Sequence, residues 1–93
     1  MIKSFASRDT ERLANREPVS SLDPRILRPA LRKLRLLGAA ATLDDLRAPP
    51  GNRLEALRGD RRGQHSIRIN HQWRICFRWT TGGPENVEIV DYH

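Results

Sequence analysis

The chain of 93 residues holds a single cysteine, Cys76, so no disulfide and no cysteine metal cluster can form within it. Cys76 stands between Ile75 and Phe77, which marks a small packed side chain rather than a nucleophile. No stretch approaches the roughly 20 apolar residues that a membrane-spanning helix requires. The opening Met-Ile-Lys-Ser-Phe also lacks the apolar run of a signal peptide. Together these absences predict an intracellular, cytoplasmic protein with no membrane partner. In that setting Arg58-Gly59-Asp60 reads as a turn, not as an adhesion motif. The only imidazoles are His65, His71 and His93, with no helical i, i+4 spacing among them, so no metal site is expected. A Gly-x-Ser-x-Gly elbow is missing, and so is a glycine-rich loop feeding a helix. No nucleotide or other cofactor site is therefore expected.

Lysine is scarce too, and this absence is the informative one. Of 17 Lys and Arg residues 15 are arginine, and the formal net charge is +6. A guanidinium is a planar fork that matches two phosphate oxygens at once, so the bias favours phosphate recognition over mere solubility. Nucleic acid is the default partner class, with an acidic protein as the other possibility. The length suits one domain, residues 1–93, with one modest core.

Apolar periodicity divides the chain into a helical first half and an alternating second half. Ile2 to Phe5 reads as a short edge strand, followed by a polar helix over residues 7–16 that Ser7 can cap. Asp23, Pro24 and Gly38 mark the start and end of a second helix. Its buried stripe would be Ile26, Leu27, Ala30, Leu31, Leu34 and Leu37, with Pro29 tolerated near the start. The arginines on its other side read as a solvated face. Residues 43–47 offer a short helical turn, and Pro49-Pro50-Gly51-Asn52 ends that half. Strands are then expected over 53–57, 64–70 and 73–80, with a final strand through Val87-Glu88-Ile89-Val90 after the turn at 81–84.

Strand alternation sorts the side chains. Ile67, Ile69, Trp73, Ile75, Phe77, Trp79, Val87 and Ile89 would face the helices. Arg68, Arg74, Arg78 and Tyr92 would gather on the opposite face. The sequence ends on Asp91-Tyr92-His93, a carboxylate, a phenol and an imidazole, all able to move or orient protons. Singly, each of these residues reads as ordinary surface. Jointly they suit phosphodiester cleavage in RNA, whose 2′-hydroxyl is a built-in nucleophile. Arg58 and Arg74 are candidates for stabilising the added negative charge, and Glu55, Asp91, Tyr92 and His93 for proton transfer or orientation.

Four segments carry a family resemblance: Met1-Ile-Lys-Ser-Phe, Leu57 through Asn70, Gln72-Trp-Arg-Ile-Cys-Phe-Arg-Trp, and Val87-Glu-Ile-Val-Asp-Tyr-His. In this order they resemble the HigB toxins of the RelE/ParE toxin–antitoxin superfamily, and Pro49 through Glu55 is similar to the GraT branch. The resemblance implies an α+β fold, a compact RelE-like domain whose small, mostly antiparallel sheet has two N-terminal helices on one face. It implies ribosome-dependent, metal-free mRNA cleavage that inhibits translation in the bacterial cytoplasm. The implied partners are the ribosome, mRNA and a HigA-like helix-turn-helix antitoxin, with operator DNA reached only through the antitoxin complex. Asp91, Tyr92 and His93 match the family's catalytic tail, and Arg74 matches the arginine of its Trp-Arg motif. Arg58 stands where some members have lysine, and Glu55 where some have histidine. Arg61, Arg62, Arg68 and Arg78 are the further arginines expected to contact RNA or ribosome. Two other readings stay open: a basic RNA- or ribosome-binding toxin without catalysis, and a gyrase-directed toxin of the same superfamily.

Overall fold

In a computed structural model the described residues are 1–92, and His93 lies outside them. The strongest helical stripe forms α2, Leu27–Ala39, with Ala30, Leu34 and Leu37 buried. The Asp23 carboxylate accepts the backbone N–H of Arg25 at 2.9 Å and opens a 3₁₀ turn, Pro24–Ile26, that leads into the helix. Pro29 is the third residue of α2, where an N–H has no intrahelical partner to lose. The helix runs one residue past the expected stop at Gly38. That glycine lies in ordinary backbone geometry beneath Ile2, whose Cγ1 a β-carbon would meet at 3.6 Å. The first helix, α1, spans Arg8–Ala14 and is capped by Ser7, whose hydroxyl accepts from the Thr10 N–H at 3.2 Å. It stops short of residue 16 because Arg16 adopts a left-handed backbone, φ 61°.

Four strands, β1 (Glu55–Ala56), β2 (His65–Arg68), β3 (Trp73–Thr80) and β4 (Gly83–Asp91), pair in that order, all antiparallel. The N-terminal segment lies parallel along the outer edge of β4. Lys3 donates to the Pro84 carbonyl at 2.8 Å, Ala6 to that of Val87 at 2.9 Å, and Val87 returns a bond to Ser4 at 3.1 Å. One N–H further along that edge, Ile89, is taken by the Thr10 hydroxyl of α1 at 3.0 Å. Two strands are shorter than alternation predicts. Arg53 closes a 3₁₀ turn at Pro50–Asn52 in the left-handed region, φ 45°, so β1 cannot begin until Glu55. At its other end Gly59, φ 65°, turns the chain toward Gly63 and leaves β2 to start at His65. A bulge lies in β4, where partners step from Cys76↔Glu88 to Arg78↔Glu85 and Asn86 adopts φ 53°. Odd and even positions therefore exchange faces across Asn86.

The core joins Ile67, Ile75, Phe77, Val87 and Ile89 of the sheet to Leu13, Ile26, Ala30, Leu34, Leu37 and Leu46. Apart from Ala30, each such buried side chain contributes roughly 1.5–3 kcal/mol. Trp73, Trp79 and Ile69 pack at its margin, as the odd parity requires. No even-numbered strand residue joins that cluster among the described residues, so outside the stretch of β4 before Asn86 the even-numbered side chains occupy the face opposite the helices. Asn52, fully buried, links the halves: its amide donates to the Leu46 carbonyl at 3.1 Å, and its carbonyl accepts from the Lys33 ammonium of α2. Burial lowers the Lys33 pKa, with repulsion from Arg32 adding to it.

Candidate functional site

Register builds the outer face in rows, because residues opposite one another in a ladder share a face. One row crosses all four strands: Glu55, Ser66, Cys76 and Glu88. The next holds Arg68, Arg74 and Val90. Ser66 and Cys76 are fully buried despite belonging to the face without helices. Longer side chains cover them. Burial pushes the Cys76 thiol up, and the nearby Glu88 and Glu55 carboxylates act the same way against Arg61 and Arg74. A thiol held protonated is a poor nucleophile, in keeping with the packing role read from its neighbours.

Arg74 lies across this face. Its Nε donates to the Ser66 hydroxyl at 2.8 Å and its Nη2 to the Arg53 carbonyl at 2.7 Å. A longer contact joins Nη2 to the Ser66 carbonyl at 3.5 Å, and Nη1 takes part in none of the three. Above the guanidinium sits the Tyr92 ring, its centroid 5.7 Å from Cζ, within cation–π range. The tail is fixed by β-type pairing: the Tyr92 N–H donates to the Gln72 carbonyl at 2.6 Å.

Tyr92 belongs to one edge of the sheet and β1 to the other, yet both line one open cleft of about 440 Å³ with Glu55, Ala56, Leu57 and Arg58. The cleft thus collects a carboxylate, a phenol and a guanidinium, with Arg74 beneath the phenol. Cations beside such a cleft can hold a phosphodiester, and the acid and phenol are proton-handling groups at its margin. A second hollow, also about 440 Å³, runs between the N-terminal segment and the helices. Apolar side chains dominate its walls and it holds no acid–base pair.

The remaining sequence candidates scatter around this centre. Asp91 pairs with Trp73 in register, hence on the helix side, and both its carboxylate oxygens accept from the Gln72 amide at 3.2 and 3.1 Å. Tyr92 and Asp91 are therefore neighbours in sequence but not in the cleft. His93 falls outside the described residues. Arg61 is engaged by Glu88 and Gln64, each at 3.1 Å, which ties the 59–63 turn to β4. Arg62 and Arg78 are exposed, and Arg78 lies against Gly63, where a β-carbon would come within 2.8 Å of its Nη1. Arg68 faces Arg74 directly across the β2–β3 ladder. Sequence reasoning missed Ser66, the Arg53 carbonyl and Gln72. Parity could have found Ser66, which shares the even face with Arg74.

Residues 3–93 match the HigB-like toxin family, described as RelE-like toxin of type II toxin-antitoxin system HigB. Toxin HigB-1 of Vibrio cholerae is 48% identical over 58 residues, which cover 62% of this chain and 61% of that protein. Endoribonuclease HigB of Proteus vulgaris is 28% identical over 93 residues, covering both chains in full. An uncharacterized protein of Haemophilus influenzae is 31% identical over 70 residues, 75% of this chain and 69% of its own.

Proposed function

The chain belongs to the HigB-like family of type II toxins, and we propose that it is an endoribonuclease that cuts mRNA on the translating ribosome. A toxin of this type is paired with a protein antitoxin. A HigA-like helix-turn-helix antitoxin suits it here, with operator DNA contacted through the complex alone. The observation that carries the nuclease reading is the convergence of Glu55, Arg58 and Tyr92 in one cleft over Arg74. The Proteus relative, called an endoribonuclease, supports the same reading across the full chain.

The chemistry follows from what these groups can do. The 2′-hydroxyl of the substrate loses its proton to Glu55 and its oxygen attacks the adjacent phosphorus. Arg58 and Nη1 of Arg74 stabilise the extra negative charge on the phosphoryl oxygens. As the bond to the 5′-oxygen breaks, Tyr92 or His93 supplies the proton that the leaving group needs. Arginine keeps its charge throughout, so Arg58 serves as an electrostatic clamp where a lysine could also have exchanged protons. Arg62, Arg68 and Arg78 extend the positive surface for RNA or rRNA phosphates. Asp91, turned to Gln72, orients the tail.

Primer extension in an actively translating extract tests the proposal. Wild-type protein should create new 5′ ends in translated mRNA and leave free RNA largely intact. Arg74→Ala, or deletion of Tyr92 and His93, should abolish those ends while leaving the domain folded. Undiminished cutting by a well-folded tail deletion would overturn the assignment.

A further inference from the structure

We propose that Ser66 is a positioning residue for the nuclease reaction, holding the Arg74 guanidinium beside the cleft through its hydroxyl. This rests on the nuclease reading of that cleft.

The register explains why Arg74 needs such a partner. Its direct cross-strand neighbour is Arg68, and like charges placed opposite one another repel. Arg74 instead reaches diagonally over β2 toward the β1 side, where the Arg53 carbonyl receives Nη2. Ser66 is the diagonal residue it crosses, paired with Cys76 and Glu55 rather than with Arg74. A β-branched or larger side chain at 66 would occupy the space under the guanidinium. Serine is short enough to lie beneath it, fully buried, and polar enough to accept from Nε at 2.8 Å. With Nε and Nη2 occupied, the fork has one orientation, and Nη1 is the corner left for a phosphate oxygen. Tyr92 then rests on a cation whose plane is fixed. An arginine on a mobile stem would lose that arrangement each turnover.

The test compares Ser66→Ala, Ser66→Cys, Arg74→Ala and the double variant Ser66→Ala/Arg74→Ala in the translating extract, with thermal melts of each. Ser66→Ala should lower kcat for mRNA cleavage roughly ten- to a hundred-fold with KM little changed. Ser66→Cys keeps the unbranched shape, only slightly larger, with a weak acceptor, and should fall in the same range while remaining folded. It decides the matter if the alanine variant fails to fold. In the double variant the alanine at 66 should add nothing to the loss caused by Arg74→Ala. Wild-type cleavage by Ser66→Cys, or an additive loss in the double variant, overturns the role of Ser66 while leaving the nuclease reading in place. Wild-type cleavage by Arg74→Ala takes both Arg74 and Ser66 out of the reaction, whereas an absence of new 5′ ends with the wild-type protein removes the nuclease reading itself.

Discussion

Replacing Thr10 by valine removes one oxygen from the seam between α1 and β4 and nothing else of comparable size. Thr10 is 1% exposed and its hydroxyl accepts the Ile89 N–H at 3.0 Å, on a residue itself 7% exposed. Valine copies the shape, and its helix propensity is close to that of threonine, so neither a cavity nor a helix penalty confuses the result. The Ile89 N–H is left buried without an acceptor, a loss of about 1–3 kcal/mol. For a domain of this size each kcal/mol lowers the melting temperature by about 4–8 °C, so a middle value predicts a fall of about 8–16 °C. Thr10→Ser keeps the bond and loses one buried methyl, about 1 kcal/mol, and should melt between the other two. Calorimetry gives the ranking, and amide hydrogen exchange locates the cause: Ile89 should exchange faster in the valine variant. If Thr10→Val melts within a degree or two of the wild type, the hydroxyl is not satisfying that strand edge and the reasoning fails.

Acid should destabilise the fold through His65. Its half-buried ring stacks on Phe77 with centroids 6.3 Å apart, and its buried Nδ1 has no hydrogen-bond partner among the described residues. Burial, then the Arg47 charge, lowers its pKa below the usual 6.5. The unfolded chain therefore takes up the proton first, and the stabilising contribution, complete above pH 6.5, fades as pH falls through the folded value. Melting curves between pH 7.5 and 5 should show this slope, and His65→Asn should flatten it. Asn52→Ala should cost about 2–3 kcal/mol in urea unfolding, since it strands the Leu46 carbonyl and the Lys33 ammonium. The same variant should slow mRNA cleavage, because Asn52 anchors the residue whose carbonyl holds Arg74. Wild-type stability in urea would show that the buried amide is dispensable.

The helices, the β2–β3 hairpin and the two faces of the sheet were legible because each rests on a repeated local period. Leu34 and Leu37 of α2, or Ile67 and Ile75 of the hairpin, need only their neighbours' spacing to be placed. Arg53, Asn86 and the brevity of β1 were not legible. A left-handed backbone at arginine is set by tertiary anchoring, here the burial of adjacent Asn52, and no pattern of hydrophobicity records it. The site divides along the same line. Tyr92, Arg74, Glu55 and Arg58 could be nominated from residue chemistry, and the even parity of Arg74 and Tyr92 matches the face they occupy. That parity also separates Asp91 from Tyr92, a consequence obscured by reading the tail as one cluster. Ser66 and Gln72 passed as ordinary strand and turn residues, since their importance lies in what they hold.

The parallel seam between the N-terminal segment and β4 bears on how the protein is made. Its bonds join residues 82 and 79 positions apart, as in Asn86 to Ser4 and Ile89 to Thr10. Contacts so distant in sequence cannot form while the ribosome still encloses the last strand, and they slow folding once it is released. Until β4 emerges, β3 has one unpaired edge, α1 has no strand to dock on, and the cleft lacks Tyr92. A chain that has not yet released β4 therefore has neither the closed seam nor the complete cleft. Fold and cleft are thus completed in the same step, by the arrival of the same strand.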